Sequence, residues 1–372
     1  MSMDYRRQLY LQNQVYNHRD TDQMFLNAVR RNVEFHREHC ASYDRILRNY
    51  GFETGRLKTA GDLWRLPCIP TLYFKRNRLA SMDSKKLLIR ATSSGTGGLK
   101  TQLGYEGKGL FYGAVSVLRT ACFHRLLSAV PVNYLILGYE PHKSNQTVIS
   151  KTQRGSTLFA PGLGLEYALK YGKNGYYLDK QGMKRALRRF AFAKAPVRII
   201  GFPSYLYFLL MELVKEGLAF SMPKGSMVML GGGWKQHYKE QVDKEELYRL
   251  IEERLGIPEE RVREFFGVAE HPVLYCDCKN HHFHVPSYSR VIIRDADTLK
   301  PVGYEKPGLV NLISPLMESM PLASVMTDDL GILHEGRKCG CGIETPYLEI
   351  IGRVGIPDIV TCAAGAKALM RG

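Results

Sequence analysis

No stretch of this chain stays apolar for the roughly 18 residues that a bilayer-spanning helix needs, and the first twenty residues are polar and aromatic, unlike a secretory leader. The reading is a cytoplasmic protein without a transmembrane segment. Internal repeats, low-complexity tracts and long linkers are also missing, which excludes solenoid and disordered architectures. Acidic residues are scarce, 36 Asp and Glu against 52 Lys and Arg, leaving a formal charge of +16. Yet no Lys/Arg-rich tail or nucleic-acid module accompanies that charge. The basic residues are dispersed in short clusters such as Lys184-Arg185 and Arg188-Arg189, a pattern that favours solubility and anion steering over nucleic-acid binding. Neither the P-loop spacing nor Gly-x-Gly-x-x-Gly occurs.

What is present is an ordinary globular composition, 45% hydrophobic and 24% charged over 372 residues, enough for a large core with subdomains. A helical periodicity occupies residues 20–50 behind a cap at Asp20-Thr21-Asp22, with Gly51 as a left-handed terminator. Prolines 67 and 70 exclude a long helix over 63–74. Short buried strands then alternate with helices. Residues 87–89, 132–138, 197–201 and 227–230 read as strands, and 110–127, 181–194 and 239–255 as helices. This is α/β layering, with ligands expected at the carboxyl ends of strands. From about residue 285 the pattern turns β-rich, over 289–294, 308–313 and 331–334.

Thr92-Ser93-Ser94-Gly95-Thr96-Gly97-Gly98-Leu99-Lys100 dominates the sequence. Three glycines let backbone N–H groups turn toward an anion, four hydroxyls donate to it and Lys100 supplies charge. With residues 110–127 as a helix, the loop is expected to lead into a helix N-terminus that adds to the anion site. Gly231-Gly232-Gly233 follows a strand and suits either a flat ligand or a packed turn. Glu270 follows the strand-ending Gly267, where a carboxylate can hold magnesium on nucleotide phosphates, or simply face water. Asp328-Asp329-Leu330-Gly331 suits a ribose diol or a turn. Gly352-Arg353 offers one more anion contact.

Eight cysteines in a chain of this kind argue against disulfides. Cys40, Cys68 and Cys122 are scattered. Cys276-x-Cys278, followed by His284, and Cys339-x-Cys341 form two knuckles suited to a closed tetrahedral zinc site. The preferred ligands are Cys278, His284, Cys339 and Cys341, with Cys276 as substitute for Cys278. Four protein ligands make the zinc structural. Cys362 lies in small-residue sequence near the C-terminus, either a buried inert thiol or an acyl acceptor.

From about residue 60 onward these pieces together resemble the adenylate-forming superfamily, and within it the branch of LuxE-type acyl-protein synthetases and phenylacetate–coenzyme A ligases. The resemblance implies the large N-terminal domain of an adenylate-forming enzyme: an α/β adenylation core over 1–285, a β-rich subdomain with the zinc knuckle over 286–352, and a short tail over 353–372 in place of the usual small domain. It implies that Thr92 to Lys100 grip the phosphates of ATP, that Gly231, Gly232 and Gly233 pack on adenine, that Glu270 holds Mg²⁺, that Asp329 binds the ribose hydroxyls, that Arg353 is the cofactor-binding arginine of the Gly-Arg pair closing the large domain, and that Cys278, His284, Cys339 and Cys341 hold zinc. Two departures stand out: Ala269 replaces the family's threonine before Glu270, and Ile356 replaces an aspartate after Arg353. The shortened tail favours the synthetases, in which an acid, here a long-chain fatty acid, is activated to acyl-AMP, passed to Cys362 and delivered to an acyl-reductase partner. An acyl- or aryl-coenzyme A ligase is the alternative, and a zinc-stabilised nucleic-acid-binding protein the second.

Overall fold

The computed structural model describes residues 4–93, 99–234 and 241–354. Contacts divide the chain into two compact units, Met1–Thr120 with Gly267–Gly372, and Ala121–Phe266.

The first unit opens with helices α1 (Tyr5–Leu11), α2 (His18–His39) and α3 (Ala41–Asn49). The cap of α2 is Asn17, three residues before the aspartate cluster suggested by sequence. Its extended backbone lets the side-chain oxygen accept the Asp20 N–H at 3.0 Å. One stripe of α2, including Phe25, Val29 and Val33, is fully buried. Gly51 adopts φ 57° after α3, as its position suggests. The pair β1 (Ile69–Pro70) and α4 (Thr71–Arg76) follows, the helix starting directly after the proline. Next come β2 (Leu87–Thr92), β3 (Gln102–Glu106) and α5 (Gly107–Phe123), the last running from the first unit into the second. Here the structure corrects the expected strand-loop-helix order. Strands β2 and β3 pair antiparallel, so the glycine-rich loop tips a hairpin, and a whole strand separates it from the N-terminus of α5.

In the second unit the elements are β4 (Val132–Tyr139), α6 (Val148–Ser156), β5 (Gly162–Gly172), β6 (Gly175–Leu178), α7 (Lys180–Phe192), β7 (Val197–Gly201), α8 (Pro203–Lys215), β8 (Met227–Gly231), α9 (Lys244–Leu255) and β9 (Val262–Val268). Within this unit the strand order is β9-β8-β7-β4-β5-β6, six of the seven strands of their sheet. Every neighbouring pair is parallel except β5 with β6. Apolar runs such as Met227-Val228-Met229-Leu230 are buried on both faces, the condition a parallel sheet covered by helices imposes.

The chain then returns to the first unit with β10 (His271–Cys276), β11 (Phe283–His284), β12 (Arg290–Arg294), β13 (Pro307–Ile313), β14 (Ser324–His334) and β15 (Tyr347–Arg353). Strands β11 to β15 form an antiparallel sheet in the order β11-β15-β14-β13-β12, with β1 added to β14 in parallel. Strand β14 begins seven residues earlier than its sequence pattern suggests, so Asp328 and Asp329 lie in a strand and not a turn. Among the described residues no helix is long and apolar enough to cross a membrane.

Two fully buried histidines stay neutral in this fold. His36 is hydrogen-bonded to Ser81 Oγ at 2.7 Å and to the Met317 carbonyl at 3.1 Å, and burial pushes both His36 and His271 down to about 3. The unfolded chain takes up these two protons near pH 6.5 and the folded chain does not, so stability is full above that pH and falls as pH drops toward 3, by up to about 1.4 kcal/mol per unit for each. Urea unfolding at pH 5 is expected to show about 3–4 kcal/mol less stability than at pH 7. An unchanged unfolding midpoint would contradict the burial of these rings.

Candidate active site and metal centre

The candidate active site is built where the first unit brings together the β2–β3 hairpin, the turn before β10, α4 and the end of β14. At the base of the glycine-rich loop, Ser93 N–H donates to the Thr101 carbonyl at 3.1 Å, and Thr101 N–H donates to Ser93 Oγ at 2.9 Å. This double clasp closes the loop between residues 93 and 101. Residues Ser94, Gly95, Thr96, Gly97 and Gly98 lie outside the described residues; Thr92 and Ser93 end the first arm, and Lys100 is exposed on the second.

Thr101 Oγ1 donates to a Glu270 carboxylate oxygen. Glu270 is 3% exposed. Burial raises its pKa and the nearby Asp328 adds to that, while the Thr101 hydroxyl and Lys75 pull it down. A buried carboxylate lacking a direct ion pair among the described residues, beside a hydroxyl oxygen, is a hard-oxygen environment in which a divalent cation restores the missing charge. The donor set therefore fits Mg²⁺.

Pairing of β1 with β14 matches Pro70 with Met326. That register brings the first turn of α4 to Asp328, which accepts from Thr71 Oγ1 at 3.2 Å and pairs with Lys75 Nζ at 3.4 Å. Arg353 stands opposite Asp329 across β14 and β15. Its guanidinium lies 3.7 Å from Asp328 and 3.7 Å from Asp329. Three carboxylates and two cations thus share one locus, with one more carboxylate than cation. Thr71, Lys75 and Thr101 escaped the sequence reading. Thr101 follows Lys100 directly, but nothing local marks Thr71 or Lys75.

Gly231, Gly232 and Gly233 belong to the second unit, at the end of β8. Gly232 has φ 84° and Gly233 φ 64°. A Cβ on Gly232 would lie 2.9 Å from the Phe202 ring and 3.1 Å from Ile149. Phe202 and Ile149 therefore already demand a packed turn at Gly232, whereas the space beside Gly233 is open.

The metal centre is also in the first unit. Cys278, His284, Cys339 and Cys341 bring their ligand atoms within 4.8 Å of one another. Cys278 Sγ is 3.5 Å from Cys339 Sγ, and Cys341 Sγ is 3.2 Å from His284 Nε2. Those separations approach the edges of a tetrahedron with metal–sulfur bonds of about 2.3 Å and metal–nitrogen bonds of about 2.0 Å. His284 Nδ1–H donates to the Thr345 carbonyl at 2.6 Å, which leaves Nε2 as the lone-pair nitrogen facing the thiols. Gly340 and Gly342, at φ 70° and 98°, turn the chain after each cysteine. The Ile343 N–H then donates to Cys341 Sγ, and Asn280 N–H to Cys278 Sγ, both at 3.4 Å. Burial and the adjoining thiols push Cys339 up to about 12; a dication reverses that by stabilising thiolates. The donor set fits zinc. Cys276 stands outside the group, its Sγ directed at the Asp277 carbonyl at 3.6 Å, so Cys278 is the member supplied by the first knuckle. Cys362 lies outside the described residues.

Comparison with known proteins adds the following. The family model for acyl-protein synthetase, LuxE, matches residues 12–369. A long-chain-fatty-acid–luciferin-component ligase of Vibrio harveyi is 25% identical over 316 residues, 81% of this chain and 77% of that protein. The ligase of the same description from Aliivibrio fischeri is 22% identical over 309 residues, covering 80% and 77%. Among solved structures, 2-hydroxyisobutyryl-CoA ligase in its postadenylation state with 2-HIB-AMP superposes with a TM-score of 0.68 at 15% identity, covering 92% of this chain and 70% of that one.

Proposed function

As a member of the LuxE acyl-protein synthetase family this chain is an ATP-dependent, AMP-forming ligase, and we propose that it activates a long-chain fatty acid and passes the acyl group through Cys362 to a protein acceptor. The observation that carries the activation step is the Glu270 carboxylate, buried at the foot of a clasped, hydroxyl-rich loop. The relatives' description supports the substrate class.

In the first step an acid carboxylate oxygen bonds to the α-phosphorus of ATP and the α–β phosphoanhydride bond breaks, releasing pyrophosphate. The loop N–H groups and hydroxyls with Lys100 hold the phosphates and offset their growing charge. A bound Mg²⁺ would supply Lewis-acid stabilisation of the leaving pyrophosphate. Glu270 holds that cation and Thr101 orients Glu270. Asp329 receives the ribose hydroxyls, and Arg353 is held beside it by Asp328 and Asp329. In the second step the Cys362 thiolate attacks the acyl carbon and the carbon–oxygen bond to AMP breaks. The acyl thioester then serves an acyl-reductase partner. Zinc on Cys278, His284, Cys339 and Cys341 is structural, since the four ligands leave no open position.

Incubation with ATP and labelled tetradecanoate tests both steps. The wild type should carry hydroxylamine-labile label, Cys362→Ser should form acyl-AMP without label, and Lys100→Ala should lose acyl-AMP formation by about tenfold or more. Among the described cysteines only Cys122 is exposed. Label that persists in Cys362→Ser and disappears in Cys122→Ser would move the acceptor there and overturn the assignment.

A further inference from the structure

The second unit exposes a set of large apolar side chains that the proposed chemistry does not use: Phe123, Leu127, Val130, Leu158, Leu163 and Leu165. Leu158 is 83% exposed and Leu163 64%. The segments that carry them are tied together. Ser128 N–H donates to the Phe159 carbonyl at 2.9 Å, Val132 N–H to the Pro161 carbonyl at 2.8 Å, and Tyr134 Oη to the Thr157 and Ala160 carbonyls at 3.0 and 2.9 Å.

Strand register places Leu165 with the Leu158 turn. Leu165 is the cross-strand partner of Tyr134 in β4, so it projects to the side where Tyr134 meets that turn, while Leu163 is exposed at the strand start, where the register shifts between Gly162 and Gly164. The alternate residues of β5 face α7: Glu166 pairs with Arg189 at 3.6 Å, and a Cβ on Gly164 would lie 3.4 Å from the Phe190 ring.

Charge separates the two faces in the same way. From residue 121 to 168 the only acids are Glu140 and Glu166. Glu166 is held on the α7 side by Lys170 at 2.6 Å and Arg189. Glu140 accepts from Tyr171 N–H at 3.1 Å beyond the carboxyl end of β4, a strand length of about 25 Å from Val130. The exposed ions carried on these same segments, 121–132 and 148–165, are Arg125, Lys151 and Arg154.

We propose that this face docks on an anionic lipid bilayer, with Leu158 and Leu163 entering the boundary between headgroups and acyl chains and Arg125, Lys151 and Arg154 meeting the lipid phosphates. Apolar side chains raised on turns and at a strand start, rimmed by cations and free of carboxylates, match that surface in both chemistry and sign. A second copy of this chain, itself at +16, brings like charge to the rim. The inference goes beyond the acyl-transfer reading and does not depend on it, because docking is measured without ATP or acid.

The test is co-sedimentation of the full chain with vesicles of phosphatidylcholine containing about 30% phosphatidylglycerol, against phosphatidylcholine alone. The wild type is expected to bind the anionic vesicles, and Leu158→Ser with Leu163→Ser to cut partitioning by about tenfold. Phe192→Ser, which removes an equally exposed ring on α7, is expected to leave binding unchanged, and all three proteins to share one thermal midpoint. Equal binding by the double variant would reduce the effect to net charge and overturn the proposal. So would absence of vesicle binding, including the case in which the double variant instead changes the oligomeric state, which would mark the face as a protein interface.

Discussion

Glu270→Gln is expected to slow acyl-adenylate formation by about a hundred- to a thousand-fold at saturating ATP, with the thermal midpoint preserved. Glutamine keeps the size of the side chain and an oxygen to accept from Thr101, so packing survives. What it loses is the charge assigned to holding Mg²⁺, on a side chain that is 3% exposed. Two further readouts separate this role from a structural one. The Mg²⁺ concentration needed for half-maximal pyrophosphate release should rise in the variant. The acid limb of the pH profile should also disappear. In the wild type, burial raises the Glu270 pKa, and only the ionised form holds the cation. Activity is therefore full at higher pH and falls as pH drops through that raised value, sooner than for a solvated glutamate near 4.3. A glutamine variant with wild-type rate and Mg²⁺ dependence would remove Glu270 from the mechanism.

The second large effect is on stability. Purified protein is expected to carry one zinc per chain, and a strong chelator or Cys339→Ala to remove it with a loss on the order of several kcal/mol. The magnitude follows from what the four ligands connect. Cys278 lies beyond β10, His284 is in β11 and Cys339 and Cys341 form a turn before β15, so one ion joins segments about sixty residues apart. Losing it leaves buried thiols whose neighbours disfavour ionisation. Cys276→Ala, outside the group, should retain the metal. Elemental analysis beside melting curves with and without chelator decides the matter. A zinc-free preparation whose melting ignores the chelator would show that the thiols are simply reduced cysteines.

The parts of these two sites that were legible in sequence are those whose chemistry is written locally. A run of glycines and hydroxyls ending in lysine has few other uses, and two Cys-x-Cys pairs flanking a histidine carry their spacing openly. Strands β4, β7 and β8 of the second unit were readable for the same reason, since buried parallel strands appear as continuous apolar runs, whereas α6, β5 and β6 carry mixed, half-exposed sequence that gives no such run. The hairpin under the loop was not. Residues Gln102-Leu103-Gly104-Tyr105-Glu106 hold only five positions and a central glycine, and their strand character comes from pairing with β2. The Asp328 locus was legible only in half. Its carboxylates stood out, but Lys75 lies 253 residues away and arrives through two parallel pairs between β1 and β14. No periodicity announces so short a pairing.

The division of the chain also sets an order of assembly on the ribosome. The unit from Ala121 to Phe266 is continuous, so it is complete before strands β10 to β15 have been made. The other unit is split around it. Its opening helices, β1 and the loop hairpin are synthesised first, yet β1 gains its partner only when β14 emerges, and Glu270, Asp328 and Arg353 all belong to the later segment. Units fold as their sequence becomes available, and closing long separations is slow. The nascent chain therefore holds a folded α/β unit between two unfinished halves, and the residues assigned to ATP become a site only once Arg353 has been added.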